Sequence, residues 1–161
     1  MRCISLWQPW GSAMTVRRHP GGPMLKGVET RGWAPAKDAI GQRMAIAAAK
    51  TQKDPETKEL LRDWWMARVK RQGGYRACFE AAGLTDWERL PFGAVLAHGI
   101  LTRVVPSEKL VHELDGIEQD WGNYRPGRFG WVFEDMQVLA QPVPIVGKQG
   151  IFWWDGKEVA A

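Results

Sequence analysis

Glu29 and Arg31 stand two positions apart in Val28-Glu29-Thr30-Arg31, a short run with a β-branched residue at alternate places. Successive side chains of a strand point to opposite faces, so this carboxylate and guanidinium leave the same face. If that face lines a cleft, the two pair and hold each other's orientation, since either one buried alone would be costly. A carboxylate beside a guanidinium then presents acceptors next to donors, which is what the edge of a base requires. On an outer face the same residues form only a solvated ion pair, and the pattern alone allows both.

Other residues could join such chemistry. Gln8 and Trp10 follow the first strand, where a barrel has its mouth, and an indole there could stack on a base or plug the core. Trp121-Gly122-Asn123-Tyr124-Arg125-Pro126-Gly127-Arg128 interleaves rings with cations. Trp121, Tyr124, Arg125 and Arg128 could meet bases and phosphates, or belong to an ordinary ordered loop. Lys148 and Gln149 lie between two glycines, where a cation, an amide and backbone N–H groups share one turn; a plain strand connection reads the same way. Trp64, Trp65, Trp131 and Trp153 read as core. His19, His98 and His112 have no ligand spacing, so neither a metal nor another cofactor is expected. No phosphate loop, dinucleotide fingerprint or Gly-x-Ser-x-Gly appears.

The chain that must position these residues has 161 residues, 45% hydrophobic and 25% charged. That suits one soluble domain able to build a core without disulfides. Ten Trp, eighteen Gly and ten Pro point to a ring-rich core and many turns, as between short strands. The net charge of +4 and pI near 9.3 favour polyanions as partners. No apolar run is long enough to span a membrane, and the first residues do not read as a signal peptide. Cys3 and Cys78 match no metal or redox spacing and read as reduced, mostly buried thiols of a cytoplasmic protein.

Strands are expected at Cys3–Trp7, Val28–Arg31, Arg43–Ala49, Gly93–Val105, Phe129–Leu139, Val143–Val146 and Ile151–Trp154. Ser12 reads as the cap of a short helix through about Arg17, and Ser107 as the cap of another. Asp54-Pro55-Glu56 opens a long helix, with Leu60, Leu61, Trp64, Trp65 and Val69 on its inner side and Gly73-Gly74 as its stop. A short helix covers Arg76 to Ala82 and ends at Gly83. Asp115 to Arg128 reads as a polar loop.

Three stretches together resemble the ASCH family of the PUA-like superfamily, in its bacterial and phage form. They are Ile4-Ser5-Leu6-Trp7-Gln8-Pro9-Trp10, then Lys26-Gly27-Val28-Glu29-Thr30-Arg31, and then Gly127-Arg128-Phe129-Gly130-Trp131 through Glu134-Asp135 to Gly147-Lys148-Gln149-Gly150. The second matches the family's Gly-x-Lys-x-x-Glu-x-Arg signature at Lys, Glu and Arg. Met24 occupies the signature's Gly position, and Ala47 stands where many relatives carry a His. The resemblance implies an α+β fold, a PUA-like β-barrel of about five to six strands with helices covering its ends. The whole chain would form one domain with a helical insertion at about 51–90. The resemblance also implies a cleft position for Lys26, which strand parity alone would put on the opposite face unless Gly27 bends the chain.

Two functions follow as expectations. The first is a binding module for RNA, another single-stranded nucleic acid or a modified nucleoside, acting as a monomer, with Gln8, Trp10, Lys26, Glu29, Arg31, Trp121, Tyr124, Arg125, Arg128, Lys148 and Gln149 as contacts. The second is implied by the resemblance: an amidohydrolase acting on N4-acylated cytidine, or a ribonuclease. Lys26 and Glu29 would then be catalytic. The family's Thr position holds Glu29, and its distant Glu would be one of Glu108, Glu113 and Glu118.

Overall fold

The computed structural model of the protein describes residues 1–51, 54–71 and 74–157. Its frame is one six-stranded sheet: β1 (Arg2–Leu6), β2 (Val28–Arg31), β3 (Arg43–Ala48), β4 (Ala94–Pro106), β5 (Phe129–Pro144) and β6 (Ile151–Trp153), in the order β2-β5-β4-β3-β1-β6. Only β1 and β3 run parallel. The sheet curls into a half-barrel. Register shifts along β4 and β5 supply the bends that such curling requires. Helices pack around it, giving the α+β barrel architecture that the sequence implies.

Two faces of the sheet are covered, which explains the unbroken apolar run of β3. Ile4, Leu6, Met44, Ile46, Leu101, Trp131 and Phe133 fill the concave side. Cys3, Ala45, Ala47, Val95, Val143 and Trp154 pack on the other. Alternate residues of β1 and β3 therefore serve different layers, and Ala45 and Ala47 of β3 face the second one. Both cysteines are free, Cys3 fully buried and Cys78 half-buried.

The helices build a third cluster. In α2 (Pro55–Lys70) Asp54 accepts from Thr57 N at 2.7 Å, as its N-cap position requires. Trp65 and Val69 are buried against Phe79 of α3 (Arg76–Ala81), Trp87, Leu90 and Trp121. Gly83 follows α3 with φ +70°, the left-handed stop that glycine tolerates. Gly73, the other half of the expected stop of α2, lies outside the described residues.

Several expectations are corrected. Ser12 is inside α1 (Trp10–Ala13), and its backbone N–H donates to Gln8 Oε1 at 3.0 Å. The amide of Gln8 thus does the capping that Ser12 was expected to do. Ser107 is the first residue of α4 (Ser107–Leu110), with Pro106 at the cap position and the serine hydroxyl buried without a partner. Leu60 is 64% exposed, so the inner side of α2 is narrower than its spacing suggests. Trp153 is 75% exposed on the edge strand β6. The segment 143–146 is no separate strand, because β5 runs on to Pro144. The expected loop 115–128 contains α5 (Gly116–Asp120), capped by Asp115, which accepts from Glu118 N at 2.9 Å.

Trp65→Ala is expected to cost about 3–5 kcal/mol of unfolding free energy, whereas Leu60→Ala stays within about 0.5 kcal/mol of wild type; urea melts distinguish them. Asp115→Ala removes a cap and is expected to cost about 0.5–2 kcal/mol at neutral pH. Arg18, then the Glu118 N–H, holds the Asp115 carboxyl below its ordinary value of 3.8. A depressed folded value stabilises above the ordinary one and is lost as pH falls through the folded value. The deficit of Asp115→Ala should therefore shrink in strong acid, as melts across an acid pH series would record.

Candidate functional site: a tryptophan-walled cavity at the open seam

The half-barrel leaves β2 without a hydrogen-bonded neighbour on its outer side. Arg31 reaches from there to β1, where its Nη2 donates to Ser5 O at 2.7 Å. A cavity of about 700 Å³ opens at this seam. Its walls come from the end of β1, α1, β2, α2 and the segment around α5.

Lys26, Glu29 and Arg31 meet in it. Glu29 Oε2 lies 3.3 Å from Lys26 Nζ, and Glu29 Oε1 lies 3.1 Å from Arg31 Nε. The strand parity thus brings Glu29 and Arg31 to one face, as their spacing predicts. Lys26 is only 1% exposed, and its ammonium also donates to Val28 O and, at 3.0 Å, to Trp121 O. Three acceptors therefore surround its three N–H groups. The Arg31 Nε contact has the distance of an ion pair but not the alignment of a hydrogen bond, so this N–H remains without a hydrogen-bond partner. Arg128 Nε is a second buried donor without one.

Glu118 positions this cluster from behind. Its carboxylate accepts from Gly27 N at 3.0 and 2.9 Å and from Val28 N at 2.9 Å. Of the three glutamates considered, Glu118 is thus the one beside the signature, and it grips the backbone. Burial pushes its carboxyl up, against the pull of those N–H groups, Lys26 and Arg18. Gly27 does not use the left-handed region. Lys26 therefore reaches the cleft without a special glycine torsion, and the grip of Glu118 on the Gly27 and Val28 amides fixes the path of the backbone.

Aromatic walls surround the ions. Trp10 and Trp64 touch with ring centroids 5.5 Å apart at 37°, and Trp64 meets the edge of Trp121 at 5.4 Å. Arg68 lies over Trp64 with its guanidinium carbon 3.6 Å from the ring centroid. Trp10 and Trp64 leave no gap for a third ring between them. Trp7, also in the wall, is 40% exposed. Asp120 at the rim accepts from the Tyr75 hydroxyl, and burial, then Asp120, pushes that phenol up to about 12.

The structure brings Trp10, Lys26, Glu29, Arg31, Trp121 and Arg128 of the expected contacts into the cavity wall. It does not bring Gln8, Tyr124, Arg125, Lys148 or Gln149 there. Gln8 is fully buried and donates to Pro91 O at 3.1 Å. Tyr124 packs over Gly122, where an added Cβ would come within 2.5 Å of its ring. Arg125, Lys148 and Gln149 are exposed outside the wall. The loop is nevertheless stapled to β2: Asn123 N donates to Thr30 Oγ1 at 3.1 Å and Arg128 Nη2 to Thr30 O at 2.8 Å. Trp7, Trp64 and Arg68 were missed as wall residues. The separation of Trp64 and Arg68 by four places, neighbours on a helix surface, was a usable signal for the last two. Among the described residues no group of three or more His, Cys, Asp or Glu is placed to hold a metal ion, and no helix is long and apolar enough to cross a membrane.

No family model matches the chain, and no curated protein matches it in sequence. Solved structures do match. The ASCH protein of Zymomonas mobilis superposes with a TM-score of 0.52 at 17% identity, covering 96% of this chain and 87% of that one. A tyrosine-to-phenylalanine variant of the same protein superposes with a TM-score of 0.52 at 16% identity, covering 96% and 90%. Identity this low speaks to fold and not to activity. The chain therefore has the fold of the ASCH structures, an α+β half-barrel.

Proposed function

We propose that the seam cavity binds one unstacked base of a single-stranded nucleic acid, RNA foremost, or a free modified nucleoside. The observation that carries this reading is the combination of a part-exposed indole, Trp7, with the ion cluster of Lys26, Glu29 and Arg31 in one cavity wall. Trp64 is occupied by Trp10, Trp121 and Arg68, which leaves Trp7 as the platform for a flat ring. Stacking on such a ring is worth about 1–3 kcal/mol per base. The Glu29 carboxylate and the guanidinium groups of Arg31 and Arg128, all in the cavity wall, then offer acceptors and donors to the base edge. Lys26, Arg31, Arg68 and Arg128 outnumber Glu29 and Asp120 among the lining charges, which favours a phosphate at the mouth.

The same geometry supports binding better than hydrolysis. Lys26 has its N–H groups directed at two carbonyls and a carboxylate, the setting of an anchored cation. Thr30 accepts from Asn123 N–H, a contact that ties the loop to β2. An N4-acylated cytidine would be held and left intact.

Titration of single-stranded RNA, followed by tryptophan fluorescence, should give salt-sensitive binding. Trp7→Ala should weaken it roughly tenfold to a hundredfold. Arg128→Gln should weaken it more than Arg125→Gln, which should weaken it slightly and lower the salt slope by at most about one. Absence of any salt-sensitive binding, together with no binding of nucleosides, would remove the proposal. Incubation with N4-acetylcytidine should release no cytidine; release that disappears in both Lys26→Ala and Glu29→Ala would instead establish an amidohydrolase.

A further inference from the structure

We propose that a second cavity, between the loop after α1, helix α3 and strands β4 and β5, binds an amphiphilic carboxylate: an apolar chain carrying one anionic head. This rests on different residues from the seam cavity and does not depend on its function.

The cavity measures about 810 Å³, within the range of small-molecule sites. Leu84, Leu96, Val138 and Leu139 give it apolar walls. Val138 is 47% exposed, so this surface meets water when the cavity is empty of ligand. Helix α3 turns Ala77, Ala81 and Ala82 towards it, and their methyl-sized side chains leave its volume unfilled. No Trp, Tyr or Phe lines it, so it lacks the stacking surface of the seam cavity.

The charged lining is of one sign: Arg17 and Arg18 are cations, His19 adds ring nitrogens, and no lining residue is acidic. Arg18 is already committed to Asp115 and Glu118, which leaves Arg17 and His19, both exposed, to meet a ligand. Their loop is well tied. Arg17 Nη1 donates to Gly22 O at 2.7 Å, Arg18 N to Pro23 O at 2.9 Å and Gly22 N to His19 O at 2.9 Å. The His19 ring lies so close over Gly22 that an added Cβ would come within 2.4 Å of it.

Chemistry selects the ligand class. An inorganic anion would leave the apolar walls wet, and a neutral hydrocarbon would gain nothing from the basic groups. A carboxylate on an aliphatic chain buries apolar area against the walls and places its head beside the guanidinium and imidazole.

Decanoate, below its micelle-forming concentration, is the probe, read by calorimetry and by methyl NMR of Leu84, Leu96, Val138 and Leu139. One decanoate per chain is expected, shifting those methyls, with decanol and butyrate at least about tenfold weaker. Ala77 is exposed in the first turn of α3, where an acidic residue suits the helix dipole. Ala77→Glu should therefore keep the fold and the RNA titration unchanged but weaken decanoate at least about tenfold, while Ala77→Lys retains it. The proposal is overturned by no decanoate binding, by decanol binding equally well, by equal affinity in Ala77→Glu, or by shifts confined to other methyls. Phosphatidylglycerol vesicles that shift the same methyls when monomeric decanoate does not would overturn it in favour of a membrane surface.

Discussion

A carboxylate held between two cations at an unpaired strand edge is the constraint from which the rest of the architecture follows. Glu29 lies between Lys26 and Arg31, all three largely withdrawn from water. Charges in such a place are tolerated only as a closed set with satisfied hydrogen bonds, because removing one member strands the others. The set is nearly closed by backbone: two carbonyls on Lys26, and one carbonyl of β1 on Arg31. Arg31 thereby spans the seam that no β-ladder closes. Further pairing of the outer edge of β2 would fill the space that is now the cavity, so the open edge and the site are the same feature.

Keeping an open edge in register calls for support from behind, which α5 supplies. Asp115 caps the helix, the helix carries Glu118, and Glu118 fixes the amides of Gly27 and Val28. From the other side, the loop after α5 is tied to Thr30 by Asn123 and Arg128. The tryptophans divide along the same lines. Trp65, Trp87, Trp121 and Trp131 are fully buried and give the small protein its core, whereas Trp7, Trp10 and Trp64 are less buried and stand in the cavity wall, which Trp121 also lines. The abundance of Trp is therefore mostly a packing property, and four of these rings line the cavity.

Local rules carried the reading where one residue decides the outcome within its own element. The parity of Glu29 and Arg31, the Asp54 cap and the Gly83 stop all depend on the nearest few residues, and all were legible. The rules failed where a distant group took over. Ser12 looks like a cap only until Gln8, folded back over the turn, occupies its amide. Helix α5 was hidden by glycines at its first position and just beyond its end, although Asp115 with Glu118 three residues later has the form of a capping pair. Trp153 lies in a run with the composition of a core strand, but that run is the three-residue edge strand β6, where Ile151 and Phe152 pack inward and Trp153 is exposed. Residues Trp7 and Arg68 come to the cavity from segments 61 positions apart, and no periodicity encodes that meeting. Lys148 and Gln149 show the reverse case: a turn with suitable chemistry that the chain path leaves outside the wall.

Arg18 stands between the two cavities, and its pairing explains why they differ. Its guanidinium faces Asp115 and Glu118 on the seam side, while its backbone carbonyl accepts from Cys78 Sγ at 3.3 Å on the α3 side. Because its charge is spent on α5, the second cavity keeps its basic character only through Arg17 and His19. Glu118 interacts with Lys26 as well as with Arg18, but its carboxylate spends its hydrogen bonds on the amides of Gly27 and Val28, while Lys26 Nζ lies 3.3 Å from Glu29. The acidic support thus lies next to the ion cluster held by backbone amides, and the seam lining keeps more cations than carboxylates.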